Sequence, residues 1–120
     1  MKITSIAFSS YPVNDIEASR DFYENILGLK ATSVFEQDEM AFIEYDLGGS
    51  TLAIGKGAPN FSPGLSGATV AFEVDDFEAM LKKLKENKVT FLMEPMDTGV
   101  CHMALINDPS GNQIMIHKKK

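Results

Sequence analysis

The second half of this chain repeats the first. Val13-Asn14-Asp15-Ile16-Glu17-Ala18 returns as Val74-Asp75-Asp76-Phe77-Glu78-Ala79, 61 residues later. In both places an apolar, strand-like segment precedes the motif and an amphipathic helix follows it. Toward the end of each half the spacing becomes 62, where Gly49-Ser50-Thr51-Leu52-Ala53-Ile54-Gly55-Lys56 lies over Gly111-Asn112-Gln113-Ile114-Met115-Ile116-His117-Lys118. Two copies of one supersecondary unit follow from this, because a repeat that short buries its apolar face only against a neighbour. With 120 residues there is room for one ordinary domain and not for two independent cores.

Each unit reads as a strand, a helix and three further strands. The first helix carries Ile16, Phe22, Tyr23, Ile26 and Leu27 on one side and meets Gly28, a helix-stopping residue. The second places Phe77, Met80, Leu81 and Leu84 at i, i+3, i+4 and i+7, with Lys82, Lys83 and Lys85 on its polar side. Asn14 with Glu17, and Asp75 with Glu78, have capping-box spacing, so these carboxylates are read as structural. Alternation predicts strands over about Ile3 to Ser10, Leu29 to Phe35, Met40 to Leu47 and Thr51 to Gly55. In the second half it predicts Ala68 to Val74, Val89 to Met93, Val100 to Ile106 and Gln113 to His117. Gly48-Gly49 turns one hairpin and Asp108-Pro109-Ser110-Gly111-Asn112 its counterpart. The division is module one over about 1–57, a Gly-, Pro- and Ser-rich linker over about 58–66, and module two over about 67–120.

Composition narrows the class. A formal net charge of −6 repels phosphate backbones, which speaks against a nucleic-acid partner. Cys101 is the single cysteine, which excludes an intrachain disulfide and a cysteine-based zinc site. No apolar run is long enough to span a bilayer, and polar residues break the apolar start of the chain, so a cytoplasmic protein with no membrane partner is expected.

The ordered motifs resemble the vicinal-oxygen-chelate superfamily, which includes glyoxalases, bleomycin resistance proteins and extradiol dioxygenases. They are the Val-x-Asp-x-Glu entry into each helix, Asp21-Phe22-Tyr23 followed by Leu27-Gly28-Leu29, and Asp108-Pro109-x-Gly111-Asn112 before a closing strand. The resemblance covers essentially the whole chain. It implies an α+β fold of two tandem βαβββ modules forming a half-open, curved eight-stranded sheet, and a homodimer. Enzymes of the family hold a metal through His or Glu on the first and last strands of each module. By position those sites fall on Phe8, Ala53, Thr69 and Met115, none of them a hard oxygen or imidazole donor. The expectation is therefore no metal at these sites and no cofactor, as in the antibiotic-binding relatives.

Strand parity then assigns a cup lining. Phe8 and Ser10 share a face, as do Thr69 with Glu73, Thr51 and Gly55 with Ala53, and Gln113 and His117 with Met115. Such a lining is mostly apolar with a few polar groups, the usual makeup of a small-ligand pocket. Glu44 interrupts an apolar strand, either at the cup or on the wet face of a half-exposed sheet. His117 is a candidate polar contact or proton-transfer group, or a histidine at the fraying end of the last strand. Cys101 and His102 are adjacent on a strand and must point to opposite faces, so they form no nucleophile–base pair. Met40, Met93, Met96, Met103 and Met115 lie in or near cup strands, as adaptable contacts or as core filler.

Two functional readings follow. In the first, the chain binds a small, largely apolar molecule in a cup between the modules, through Phe8, Ser10, Glu44, Ala53, Thr69, Glu73, Gln113, Met115 and His117, with no catalytic residue. In the second it is a lyase, isomerase or dioxygenase-type enzyme of the same superfamily. That reading uses His117, His102 and Glu44 as acid–base groups or relocated metal ligands.

Overall fold

A computed structural model describes residues 1–65 and 67–120; Ser66, at the end of the predicted linker, lies outside the described residues. The elements are β1 (Ser9–Pro12), α1 (Ile16–Arg20, continuing as a π-helical stretch Asp21–Ile26), β2 (Ser33–Gln37), β3 (Met40–Asp46) and β4 (Thr51–Lys56). The second series is β5 (Val70–Glu73), α2 (Phe77–Glu86), β6 (Phe91–Asp97), β7 (Cys101–Asn107) and β8 (Gln113–Lys119). The α+β plan is two βαβββ modules, and the eight strands divide into two four-stranded sheets, ordered β1-β4-β3-β2 and β5-β8-β7-β6. In each sheet the first strand pairs parallel to the last and the other contacts are antiparallel.

The helices begin one residue later than the capping-box spacing predicts. Asp15 and Asp76 are the caps, their carboxylates accepting from the backbone N–H of Ala18 and Ala79. Asn14 and Asp75 stand outside, and Glu17 and Glu78 lie in the first turn, where a negative charge meets the helix dipole. After Arg20 the first helix widens, with the Leu27 amide reaching back five residues to the Phe22 carbonyl. Phe22 and Tyr23 are both buried in the core by this stretch. Gly28 then takes a left-handed conformation at φ 81°, and the Leu29 amide closes the helix end on the Tyr23 carbonyl.

Strand limits move for physical reasons. β1 is short because Ser9 pairs with Leu52 and β4 starts at Thr51, so residues before Phe8 run past the end of their own sheet. Met1, Ile3 and Ile6 are exposed in consequence. β2 starts only at Ser33, the residue that meets Glu44 of β3; Leu29 and Ala31 pack on the core instead. β6 continues through Pro95 to Asp97, which an edge strand with register shifts permits because the missing N–H breaks no ladder there.

One core joins both modules. From the first come Tyr11, Val13, Phe22, Tyr23, Ile43, Tyr45, Leu52 and Ile54, and from the second Phe77, Leu81, Leu84, Ala104, Ile106, Ile114 and Ile116. A polar knot crosses it. Buried Asp108 accepts from the Tyr23 hydroxyl (2.8 Å), the Ser110 and Asn112 amides (2.9 and 2.8 Å) and Asn112 Nδ2 (2.8 Å). Asn112 Nδ2 also donates to the Pro12 carbonyl at 2.7 Å, and Asn112 Oδ1 accepts from the Gly64 amide at 3.0 Å. The Tyr11 hydroxyl donates to the Gln113 carbonyl (2.6 Å) and accepts from the Val70 amide (2.9 Å).

Two predictions follow. Asp108→Ala leaves the Tyr23 hydroxyl and the Asn112 amide buried without an acceptor, and is expected to lower stability by about 3 kcal/mol in urea denaturation. The three tyrosines, Tyr11, Tyr23 and Tyr45, are all pushed above the ordinary phenol value, first by burial. Their neutral forms therefore stabilise the fold fully below about pH 10, and that contribution is lost as pH rises beyond it. Tyrosinate absorbance near 295 nm should appear together with the loss of circular dichroism, not before it.

Candidate functional site

Pairing register sorts the side chains of each sheet into a core face and an open face, since directly opposed residues lie on the same side. In sheet one the open face carries two rows. Ser10, Ala53, Glu44 and Ser33 form one, and Pro12, Gly55, Phe42 and Phe35 the other. In sheet two the corresponding rows are Ala71, Met115, Leu105 and Met93, and Glu73, His117, Met103 and Met96.

A cavity of about 440 Å³ lies over sheet one, lined by Phe8, Ser10, Phe35, Met40, Phe42 and Gly55, with Lys56 and the linker residues Ala58, Pro59, Asn60 and Phe61. Phe8 meets Phe42 edge to face, ring centroids 5.8 Å apart. Glycine at position 55 is what lets the rings approach the sheet. A Cβ there would stand 2.9 Å from Phe42 Cδ1, 3.2 Å from the Ala41 carbonyl oxygen and 3.3 Å from Phe61 Cε2. At Gly57 the chain turns into the linker with φ 97°, and a Cβ would come within 2.6 Å of the Glu39 carbonyl oxygen. The linker thus folds back as one wall of the cavity. Its polar groups are few, chiefly the Ser10 hydroxyl, the Lys56 ammonium and the Asn60 amide.

The residues singled out from sequence divide between the two sheets. Phe8 and Ser10 line the cavity, while Ala53 and Glu44 share a row with Ser10 on the same open face. Glu73, Gln113, Met115 and His117 belong to sheet two, Thr69 directly precedes β5, and none of them lines the cavity. The Gln113 amide donates to the Thr69 hydroxyl, and the Glu73 carboxylate holds both His117 Nδ1 and the Lys119 amide. These contacts hold Glu73 below the ordinary carboxylate range, the Lys119 amide first and His117 next. The cavity therefore lies over one sheet of the chain rather than between its two modules.

The set His117, His102 and Glu44 does not come together. His102 lies on the core face of sheet two, its ring 5.7 Å from that of Phe77 on α2, and His117 is on the opposite face. Glu44 belongs to sheet one. Among the described residues, no three His, Cys, Asp or Glu side chains cluster as a metal site. Cys101 is buried and unpaired with another cysteine, its sulfur 3.1 Å from the Thr98 hydroxyl.

Phe35, Phe42 and Phe61 were not singled out from sequence. Phe35 and Phe42 have the same sheet parity as Phe8, and Phe61 is the one large aromatic residue in a stretch otherwise rich in Gly, Pro and Ser.

Comparison with known proteins places the chain in a family. The model of the Glyoxalase/Bleomycin resistance protein/Dioxygenase superfamily matches residues 2–116, and the chain belongs to that superfamily. A lactoylglutathione lyase of Neisseria meningitidis serogroup A is 30% identical over 118 residues, covering 90% of this chain and 86% of the relative. Among solved structures, TnmS3, an antibiotic binding protein from Streptomyces sp. CB03234, superposes with a TM-score of 0.82 at 24% identity. It covers 100% of this chain and 99% of its own. A glyoxalase/bleomycin resistance protein from the same organism gives a TM-score of 0.73 at 25% identity, covering 93% of this chain and 98% of its own.

Gly55→Ala tests the close approach. The added methyl must displace the Phe42 and Phe61 rings into the cavity, so a stability loss of about 1–2 kcal/mol and a smaller cavity are expected, measurable by urea denaturation and crystallography.

Proposed function

We propose that this chain is a binding protein for a small, largely apolar molecule, with no metal at the positions the enzymes of its superfamily use. The observation that carries the reading is the phenylalanine-lined cavity over sheet one. Its volume lies within the range of small-molecule pockets, and its walls offer ring faces and edges with a few polar groups at the margin. The four family ligand positions support it: Phe8 and Ala53 have no lone pairs to give, Thr69 is engaged by Gln113, and Met115 is a thioether. TnmS3, whose fold this chain shares, is described as antibiotic binding.

The cup is completed by a second copy of the chain. Both open faces and the N-terminal segment leave large apolar groups uncovered, among them Ile3, Ile6, Phe8, Phe35, Met40 and Met96. The molecule is also flat for its length. Its extents are 44 × 41 × 25 Å and its radius of gyration is 14.7 Å, against about 13.6 Å for a compact domain of this size. A homodimer that sets one protomer's sheet one against its partner's sheet two would cover these faces and enclose the ligand.

The lyase reading draws on the 30% identity to lactoylglutathione lyase. It is disfavoured by the separation of His102, His117 and Glu44 onto different faces and sheets.

Calorimetric titration with planar, apolar compounds, chosen by thermal shift from a chemically diverse panel, tests the reading. Replacing Phe61 with Ser removes one wall without opening the core, and should weaken binding about tenfold or more, equivalent to about 1.4 kcal/mol, while the melting temperature stays near that of the parent. A panel that stabilises nothing, together with a monomer in sedimentation velocity at micromolar concentration, would refute both the ligand and the dimer.

A further inference from the structure

From sheet two, on residues that do not line the phenylalanine cavity, we infer a site for a soft monovalent cation, cuprous copper in particular. Four strands contribute one residue each to a single row of its open face. Glu73 of β5 pairs with His117 of β8, His117 with Met103 of β7, and Met103 with Met96 of β6. Opposed residues on antiparallel strands have Cα atoms about 4.5–5.5 Å apart, within the span of long, unbranched methionine side chains. The row sets two thioethers beside one imidazole on the same side of the sheet.

The donor chemistry selects the ion. Thioether sulfur and imidazole nitrogen favour Cu(I), whereas hard divalent ions require the carboxylates and waters that Met96 and Met103 do not provide. A second feature points the same way. The Glu73 carboxylate grips His117 Nδ1 and is itself anchored by the Lys119 amide. Among the described residues Nε2 has no hydrogen-bond partner, so it is the nitrogen left for an ion. A carboxylate behind the far ring nitrogen is how metal-ligating histidines are commonly oriented and made more basic. The row is also reachable: Met96 is 48% exposed, and the His117 side chain 29%.

The site is distinct from the superfamily's metal positions, which fall on Phe8, Ala53, Thr69 and Met115, and it shares only His117 with the His102, His117 and Glu44 set. Binding involves no electron transfer; Cu(I) enters and stays Cu(I).

Anaerobic titration of the full chain with Cu(I), kept reduced by ascorbate and read by competition with a chromophoric Cu(I) chelator, tests it. One equivalent should bind and Zn(II) should not displace it. Met96→Leu with Met103→Leu keeps the apolar volume and should weaken binding about tenfold or more, and Glu73→Gln about tenfold. Cys101→Ser should leave affinity unchanged. Ag(I), a redox-silent substitute, should shift the ε-methyl resonances of Met96 and Met103 in preference to those of the other methionines. The inference is overturned if the chelator strips all copper from the parent, if the double leucine variant binds equally well, or if Cys101→Ser alone abolishes binding. The Phe61→Ser titration with apolar compounds reads the other sheet, so either reading can fail without the other.

Discussion

The buried hydrogen-bond knot around Asp108 holds the two modules in one arrangement, and the positions of both open faces depend on it. A carboxylate placed there would be costly without partners, and it has four donors, one of them the Tyr23 hydroxyl from the other module. Asn112 extends the knot to Pro12 at the end of β1 and to Gly64 in the linker. Apolar packing between Tyr45, Ile54, Ile106 and Ile116 supplies driving force without direction. The knot supplies direction, because only one relative placement satisfies every donor and acceptor. By tying Gly64 to Asn112 it also restrains the linker whose earlier residues wall the phenylalanine cavity.

Much of this was legible in the sequence, because a repeat exposes itself through spacing. The offsets of 61 and 62 correctly equate the strands of the two sheets: Ser10, Glu44 and Ala53 share a row, and so do their counterparts Ala71, Leu105 and Met115. Parity also separated Cys101 from His102, and the latter packs on Phe77 on the core side. What escaped were contacts between residues far apart in the chain. Tyr23 with Asp108, 85 positions apart, and Asn112 with Pro12, 100 apart, leave no local pattern. Asp108 to Asn112 reads locally as a hairpin turn, which it is; its inward carboxylate is a tertiary fact. Phe8 and Ser10 of the cavity lining were assigned from strand parity, but its linker wall was not, for a related reason. That wall follows from the left-handed turn at Gly57 and the bare surface of Gly55, whereas composition alone reads that segment as loose.

Strand ends were the other weak point, and the cause is the same in each case. A strand lasts only as long as a partner lies beside it. Ile3 to Phe8 have strand-like residues but run past the start of β4, while β6 outlasts its own proline because it needs no partner on that side. The unpaired N-terminal segment is therefore a consequence of register, and its exposed Ile3 and Ile6 belong with the uncovered sheet faces as apolar surface.

The two halves have used one inherited position differently. Shifting Pro12, Phe35 and Phe42 by 61 and Gly55 by 62 gives Glu73, Met96, Met103 and His117. Those eight residues are the same row of the same sheet in each module. In the first, a glycine opens the surface and aromatic rings close over it, so what the face offers is contact area. In the second, the glycine's place is taken by a histidine with a carboxylate behind it, and the phenylalanines' places by thioethers, so what the face offers is lone pairs. Duplication lets one copy keep the core face that folding requires, Ile54 answering Ile116 and Ile43 answering Ala104, while the open faces are free to diverge. If a dimer sets unlike sheets against each other, each cup presents rings from one protomer and soft donors from its partner. A ligand that is both aromatic and a soft electron-pair acceptor, such as an aromatic compound carrying a soft cation, would then engage both walls, and one that is only apolar would use the first alone.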